Sequence, residues 1–205
     1  GTARTDTIET ISGGATRTHR TVYEHEDFYG LVKTAQTEAV ESDGKIVGQT
    51  CTATYYVHNP AANLIGLPSD LKTTAGDCAQ KDTGALVSAS RTSYDALDAF
   101  GTAPTKGLVR QVETNDAAGT SWITTARTDY DGLGRSVKVL DAAGTPVTTA
   151  YTPATGPAFS VTSTNALGHT TTTKIDPGRG TLLETTDANG RKVTTDYDAL
   201  GRSTA

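Results

Sequence analysis

The sequence has no methionine, one tryptophan, three phenylalanines and no long apolar run. Without methionine it reads as a piece of a longer chain, or a processed form of one. Val, Ile, Leu and Phe make up 35 of its 205 residues, roughly 17 %, below the ~20 % at which disorder becomes an option. The net charge of −5 is too small for the self-repulsion that usually accompanies disorder. No stretch of about 18 apolar residues exists to form a spanning helix. The opening Gly1-Thr2-Ala3-Arg4-Thr5-Asp6 lacks the apolar core of a signal peptide. The 18 basic residues, set against 23 acidic ones, form no cluster, which argues against nucleic-acid binding through the phosphate backbone. Helix signals are almost missing. The best candidate, Asn59-Pro60-Ala61-Ala62-Asn63-Leu64, is long enough for one short capped turn.

What the chain has in quantity is threonine, glycine and aspartate: 40 Thr, 21 Gly and 16 Asp against 7 Glu. From Ser121 to Tyr130 one parity carries Trp122, Thr124, Ala126, Thr128 and Tyr130, and the other Ile123, Thr125, Arg127 and Asp129. That is the period-2 pattern of a sheet, with Trp122 and Tyr130 expected in a core-facing row. Val137 and Val139, then Val147, Thr149 and Tyr151, Thr171, Thr173 and Ile175, and Val193, Thr195 and Tyr197 follow the same habit. Threonine suits either face, because its β-branch fits the pleat and its hydroxyl tolerates water.

Reversals separate these runs: Asp116-Ala117-Ala118-Gly119, Asp141-Ala142-Ala143-Gly144, Asn165-Ala166-Leu167-Gly168 and Asp187-Ala188-Asn189-Gly190. In each, an Asp or Asn side chain can accept a nearby backbone N–H, and a glycine three places on accepts positive φ. A longer grammar overlays them. Thr128-Asp129-Tyr130-Asp131-Gly132-Leu133-Gly134-Arg135 returns as Thr195-Asp196-Tyr197-Asp198-Ala199-Leu200-Gly201-Arg202, with a decayed copy at Thr92-Ser93-Tyr94-Asp95-Ala96-Leu97. Glycine-led starts recur at Gly30-Leu31-Val32, Gly66-Leu67-Pro68, Gly107-Leu108-Val109 and Gly180-Thr181-Leu182.

These repeats predict an all-β chain of antiparallel hairpins in one curved, spiralling sheet. Residues 1–110 carry degenerate units with insertions and residues 111–205 more regular ones, without a clear linker. Each tyrosine is expected to end a strand with its hydroxyl on a polar partner, and each following Asp to tie the turn. The arginine is expected to cross the sheet to an Asp of an adjacent hairpin. Because Tyr94, Asp95, Tyr130, Asp131, Gly134, Arg135, Tyr197, Asp198, Gly201 and Arg202 recur rather than converge on one point, they are read as architecture and not as catalytic groups.

The two full units, Tyr130 to Arg135 and Tyr197 to Arg202, resemble the signature of the YD-repeat, or RHS-repeat, family. The resemblance implies a long β-ribbon wound into a hollow shell. In bacteria such shells enclose a toxic C-terminal domain of secreted or surface-displayed toxins and toxin complexes, and in animals they form the barrel of teneurin-type adhesion receptors. It further implies a structural, non-enzymatic chain without a cofactor. Its partners are then the rest of the same polypeptide and an enclosed toxin domain. The chain departs from the pattern where Tyr94 lacks its Gly-Arg completion, where Thr152 follows Tyr151, and where Ile175 stands in the tyrosine position. The self-cleaving segment of some bacterial shells, with its paired aspartates, is not recognisable.

The oxidising compartment implied by the resemblance favours a disulfide between Cys51 and Cys78, the only cysteines; on the residues alone, two separate buried thiols stay open. His25 with Asp27 forms too small a fragment for a metal site. Asp129 with Asp131, and Asp196 with Asp198, share a strand face as calcium ligands would, but a turn accounts for each second member. Trp122 is the candidate for stacking on a ligand. The leading expectation is therefore a wall segment that encloses or presents a polypeptide cargo. The alternative is an extracellular adhesion module that binds carbohydrate or protein on its outer sheet face.

Overall fold

The computed structural model describes residues 1–10, 16–116 and 118–204. Fourteen antiparallel strands follow one another in chain order without a crossover. The chain divides into two compact units, Gly1–Thr125 and Ala126–Ala205. The first unit holds β1 (Thr2–Thr10), β2 (Thr16–His25), β3 (Val32–Glu41), β4 (Ile46–Asn59), β5 (Leu64–Ala75), β6 (Leu86–Tyr94) and β7 (Val109–Asn115). β8 (Trp122–Tyr130) begins in the first unit and ends in the second. The second continues with β9 (Ser136–Asp141), β10 (Pro146–Thr152), β11 (Ser160–Thr164), β12 (Thr170–Ile175), β13 (Leu182–Thr186) and β14 (Lys192–Thr194). Helix is confined to two 3₁₀ turns among the described residues. One is the expected Pro60–Ala62, where the Asn59 side chain accepts from the Ala62 N–H at 3.2 Å.

Threonine holds the strands together sideways as well as by β-propensity. The hydroxyls of Thr52 and Thr73 meet across β4 and β5 at 2.9 Å, and those of Thr162 and Thr172 across β11 and β12 at 3.0 Å. Apolar burial is sparse. Cys51, Ala53, Val57 and Tyr94 are buried, beside buried Thr34, Glu38, Ser69, Thr74, Ser93, Gln111 and Glu113. The reason is the composition: with so few large aliphatics, the protected face of the first unit is closed by hydrogen bonds and ion pairs.

Registry puts Gln36 of β3 opposite Cys51 of β4, which lies opposite Thr74 of β5. The 3₁₀ turn Cys78–Gln80 covers this spot, held by a Cys51–Cys78 disulfide with Cα atoms 5.0 Å apart and by the Cys78 N–H on the Gln36 Oε1 at 3.0 Å. Further along, Arg91 of β6 lies opposite both Asp70 and Glu113, and Ser93 opposite Gln111.

Alternate turns of an antiparallel chain share an edge of the sheet. In the second unit one edge carries the turns at 131–135, 153–159, 176–181 and 198–202, and the opposite edge those at 142–145, 165–169 and 187–191. The two sequence grammars thus separate in space: both Tyr-Asp-x-x-Gly-Arg turns lie on the first edge. On the opposite edge Asn165 Oδ1 accepts the N–H groups of Leu167 and His169, both at 3.0 Å. Asp141 and Asp187 do the same over the same spacing. Gly168 closes its turn at φ +80°, which a side chain would resist. Asp116 accepts from Thr120; Ala117 of that turn lies outside the described residues.

One expectation fails here. Trp122 is not in a dry row: the residue is 38 % exposed, with the Arg91 guanidinium 4.3 Å from its ring centroid. Strand parity was read correctly, but the face it points to is lined by charged groups.

Candidate functional site

Four tyrosines share one construction. The hydroxyl of Tyr56 donates to the Val32 carbonyl at 2.9 Å, that of Tyr94 to Pro68 at 2.8 Å, that of Tyr151 to Ser136 at 3.0 Å and that of Tyr197 to Leu182 at 2.9 Å. Every acceptor stands two residues after a glycine with positive φ: Gly30, Gly66, Gly134 and Gly180. Gly30, Gly134 and Gly180 lead into strands and Gly66 lies within β5; in each case a tyrosine near or just past the far end of the next strand clamps the carbonyl two residues on. Each acceptor residue is paired in the ladder beside a register shift: Val32 with His25, Pro68 with Tyr56, Ser136 with Tyr130 and Leu182 with Ile175. Tyr94 alone of the eight tyrosines is buried, and burial raises its hydroxyl pKa.

The Asp-x-x-Gly-Arg part is local. Asp131 Oδ1 accepts the N–H groups of Leu133 and Arg135, each at 2.9 Å, and Gly134 sits at φ +80°. Asp198 and Gly201 repeat this arrangement around Leu200 and Arg202. The arginine corrects the expectation of a cross-sheet pair. Arg135 Nε donates to Asp131 Oδ2 of its own turn at 2.7 Å, and Arg202 to Asp198 at 2.7 Å. A carboxylate four residues back, already fixed by the turn, lies nearer than any on a neighbouring hairpin. The remaining Arg135 nitrogens donate to the carbonyls of Ala154 at 2.5 Å and Gly156 at 3.2 Å, in the next turn on that edge. The guanidinium lies 4.3 Å from the Tyr151 ring centroid. Arg179 reaches the Asp198 and Ala199 carbonyls in the same manner. Burial raises the Asp131 pKa, and the Arg135 backbone N–H and guanidinium outweigh it to hold it below the usual value.

The decayed unit at Tyr94 keeps the aspartate and changes its task. Asp95, at φ +64°, accepts the N–H groups of Thr105 (2.6 Å), Lys106 (2.9 Å), Gly107 (3.3 Å) and Leu108 (2.9 Å), and so gathers the far end of the inserted loop. Partial burial pushes its carboxyl up, but these backbone donors prevail and lower the pKa to about 2. Sequence reasoning missed the nearby buried carboxylate, Glu113. It accepts from Arg91 Nε at 2.7 Å, Gln111 Nε2 at 2.7 Å and Thr124 Oγ1 at 3.1 Å. Desolvation raises its pKa, and Arg91, Gln111 and Thr124 more than offset that. A lone Glu on a polar-looking strand gave no signal of burial.

Each repeated tyrosine, aspartate and arginine described above is consumed by turn or strand contacts. Among the described residues no group of three or more His, Cys, Asp or Glu side chains is arranged to hold a metal, and no helix is long and apolar enough to cross a membrane.

No family model and no curated protein matches this sequence. Solved structures do. The TcdB2-TccC3 crystal structure without its hypervariable C-terminal region superposes on 98 % of this chain with a TM-score of 0.71 at 16 % identity. The TcdB2-TccC3-Cdc42 crystal structure matches over 98 % with a TM-score of 0.70 at 15 % identity. The Photorhabdus luminescens Tc holotoxin pore with a mutated TccC3 gives 0.68 at 14 % identity. The chain has the RHS/YD-repeat shell fold. It spans 14 % of the length of each of those toxin chains, so the likeness concerns one stretch of each.

Proposed function

We propose that this chain is a wall segment of a secreted or surface-displayed RHS/YD-repeat shell, without catalytic activity, whose parent polypeptide encloses a cargo domain such as a toxin. The observation that carries the reading is the stitching of one sheet edge. In the second unit Arg135 ties its turn to the next turn on that edge, and Arg179 ties its own to the one after. In the first unit Asn59 donates to the Pro104 carbonyl at 2.7 Å and joins two more such turns. Such stitching lets a thin sheet persist where each hairpin buries too little apolar surface to stand alone. The fold match over 98 % of the chain and the Cys51–Cys78 bond support the same reading.

Limited proteolysis of the parent polypeptide tests it. The enclosed segment should resist protease in the native shell and become cleavable when Arg135→Ala and Tyr151→Ala are combined. A parent in which no segment gains protection from the intact wall overturns the reading.

A further inference from the structure

In the first unit a cavity of about 490 Å³ opens among the end of β2, the turn that follows it, and β4. Glu24, Glu26 and Asp27 supply carboxylates to its lining, and Tyr55, Tyr56 and His58 supply rings. Its volume lies within the roughly 300–1,000 Å³ range of small-molecule sites. We propose that this cavity binds a guanidinium group brought by another molecule, with Glu26 and Asp27 as its anionic partners and Tyr55 as the ring beneath it. The inference is independent of what the parent shell encloses.

Elsewhere the chain fills such a setting with an arginine of its own. Arg91 lies between the rings of Phe100 and Trp122, at 4.0 and 4.3 Å, and pairs with Glu113 at 2.6 Å. Arg135 lies 4.3 Å from the Tyr151 ring centroid and pairs with Asp131 at 2.7 Å. Each is a guanidinium held by a π-face and a carboxylate together. The cavity beside β4 has both of those parts, and no arginine is among its lining residues. The one lysine there, Lys33, faces Glu24 at 3.5 Å. Glu26 accepts only the Tyr29 N–H, at 3.3 Å, and Asp27 makes no hydrogen bond or ion pair among the described residues.

The rings are fixed by the fold. The Tyr56 hydroxyl is held on the Val32 carbonyl at 2.9 Å. His58 Nδ1 accepts the Gly66 N–H at 3.0 Å, while its ring stacks on Tyr29 with centroids 4.8 Å apart. Tyr55 is 44 % exposed and its hydroxyl has no hydrogen-bond partner among the described residues, which leaves its face open to a planar cation. Three carboxylates against one lysine favour a cation over an anion. A bare metal ion does not suit the site, because among the described residues no three His, Cys, Asp or Glu side chains are grouped to hold one. A guanidinium suits it better than an ammonium, since its planar fork stacks on a ring and serves two carboxylates at once.

Calorimetric titration of the 205-residue chain tests this, with Gly1 acetylated to remove the terminal ammonium beside the cavity. The probes are agmatine, acetyl-Gly-Arg-Gly amide and acetyl-Gly-Lys-Gly amide. At least one guanidinium probe should bind saturably, and the lysine peptide about tenfold more weakly or not at all. Tighter binding of the arginine peptide assigns the site to a polypeptide partner, and tighter binding of agmatine assigns it to a free guanidine; either result supports the site. Asp27→Asn and Tyr55→Leu should each lower the guanidinium affinity about tenfold. Asp27→Asn should leave the thermal midpoint unchanged, because that carboxylate ties nothing in the fold. The proposal is overturned if neither guanidinium probe binds saturably, or if the lysine peptide binds as tightly as the better of them. Full affinity in either variant at an unchanged midpoint also overturns it.

Discussion

Arg135 lies over the ring of Tyr151, with its guanidinium carbon 4.3 Å from the centroid, while the Tyr151 hydroxyl donates to the carbonyl of Ser136, the residue directly after Arg135. One tyrosine thus holds two adjacent backbone positions through opposite properties, its π-face and its polar tip. Tyr151→Phe should cost about 1 kcal/mol, the net worth of one hydrogen bond. Tyr151→Ala should cost about 2 kcal/mol, because the ring is only half-buried. A double-mutant cycle of Tyr151→Ala with Arg135→Ala, read by urea denaturation, should return a coupling of about 0.5–1 kcal/mol. Additive single losses would mean that the ring and the guanidinium merely coexist.

Tyr94 is the clamp that tests ring burial most directly. It is buried where Tyr130 is half-buried, so Tyr94→Ala should cost about 3–5 kcal/mol and Tyr130→Ala about 2 kcal/mol. Equal thermal midpoints for the two variants would place the stabilisation elsewhere than in ring burial.

Gly168 isolates the backbone contribution. At φ +80° nothing lies within 4 Å of a Cβ built there. Gly168→Ala should therefore lose about 1–2 kcal/mol to backbone strain alone. Gly168→Asn should lose less, since Asn tolerates the left-handed region. A larger loss for Asn would point to a clash that the open space does not contain.

Local chemistry was legible in the sequence, and long-range pairing was not. The Asx turns at Asp131, Asp141, Asn165, Asp187 and Asp198 close over two to four residues, so residue type and spacing suffice to read them. The glycine-led starts at Gly30, Gly66 and Gly180 were visible as a family. Their use was hidden, because the tyrosine that clamps each one lies 15 to 24 residues beyond the acceptor carbonyl, or 26 for Gly66. Only strand registry brings the two together. Arg135 was misread because a cross-strand partner was assumed for a long side chain whose own turn supplied a carboxylate. Trp122 was misread because alternation tells which residues share a face, and here that face is closed by the Arg91–Glu113 pair instead of by apolar side chains.

Asp95 should make stability depend on acid. Its folded pKa of about 2 lies below the ~3.9 of an unfolded aspartate. A depressed carboxyl pKa contributes stability that is complete above the unfolded value and is lost as pH falls through the folded one. At pH 6 Asp95→Asn should be about 1–2 kcal/mol less stable than the parent sequence. The gap should close between pH 4 and 2, as the native carboxyl also becomes neutral. Urea midpoints of both proteins at pH 6, 4 and 2 measure this; a gap that stays constant with pH would assign the effect to shape instead of charge.

The disulfide should act on the first unit and leave the second alone. Cys51 and Cys78 are 27 residues apart and both lie within Gly1–Thr125. Closing that loop restricts the unfolded chain by about 3.5 kcal/mol on the chain-entropy estimate. In the native state the bond also pins the Cys78–Gln80 turn over Gln36 and Thr74, with the Cys78 N–H on the Gln36 side chain as a second tie. Thiol titration of the unfolded, unreduced chain should find no free thiol. After reduction, hydrogen exchange should quicken first at Cys78 and then in neighbouring β4 and β5, while β10 to β12 exchange at their former rate. Cys78→Ser should reproduce the pattern without reductant. Cys78→Ser with Gln36→Ala should go further, because the turn then loses both ties to the sheet. Equal loosening of β4 and β11 on reduction would instead mean that the two units unfold as one cooperative body.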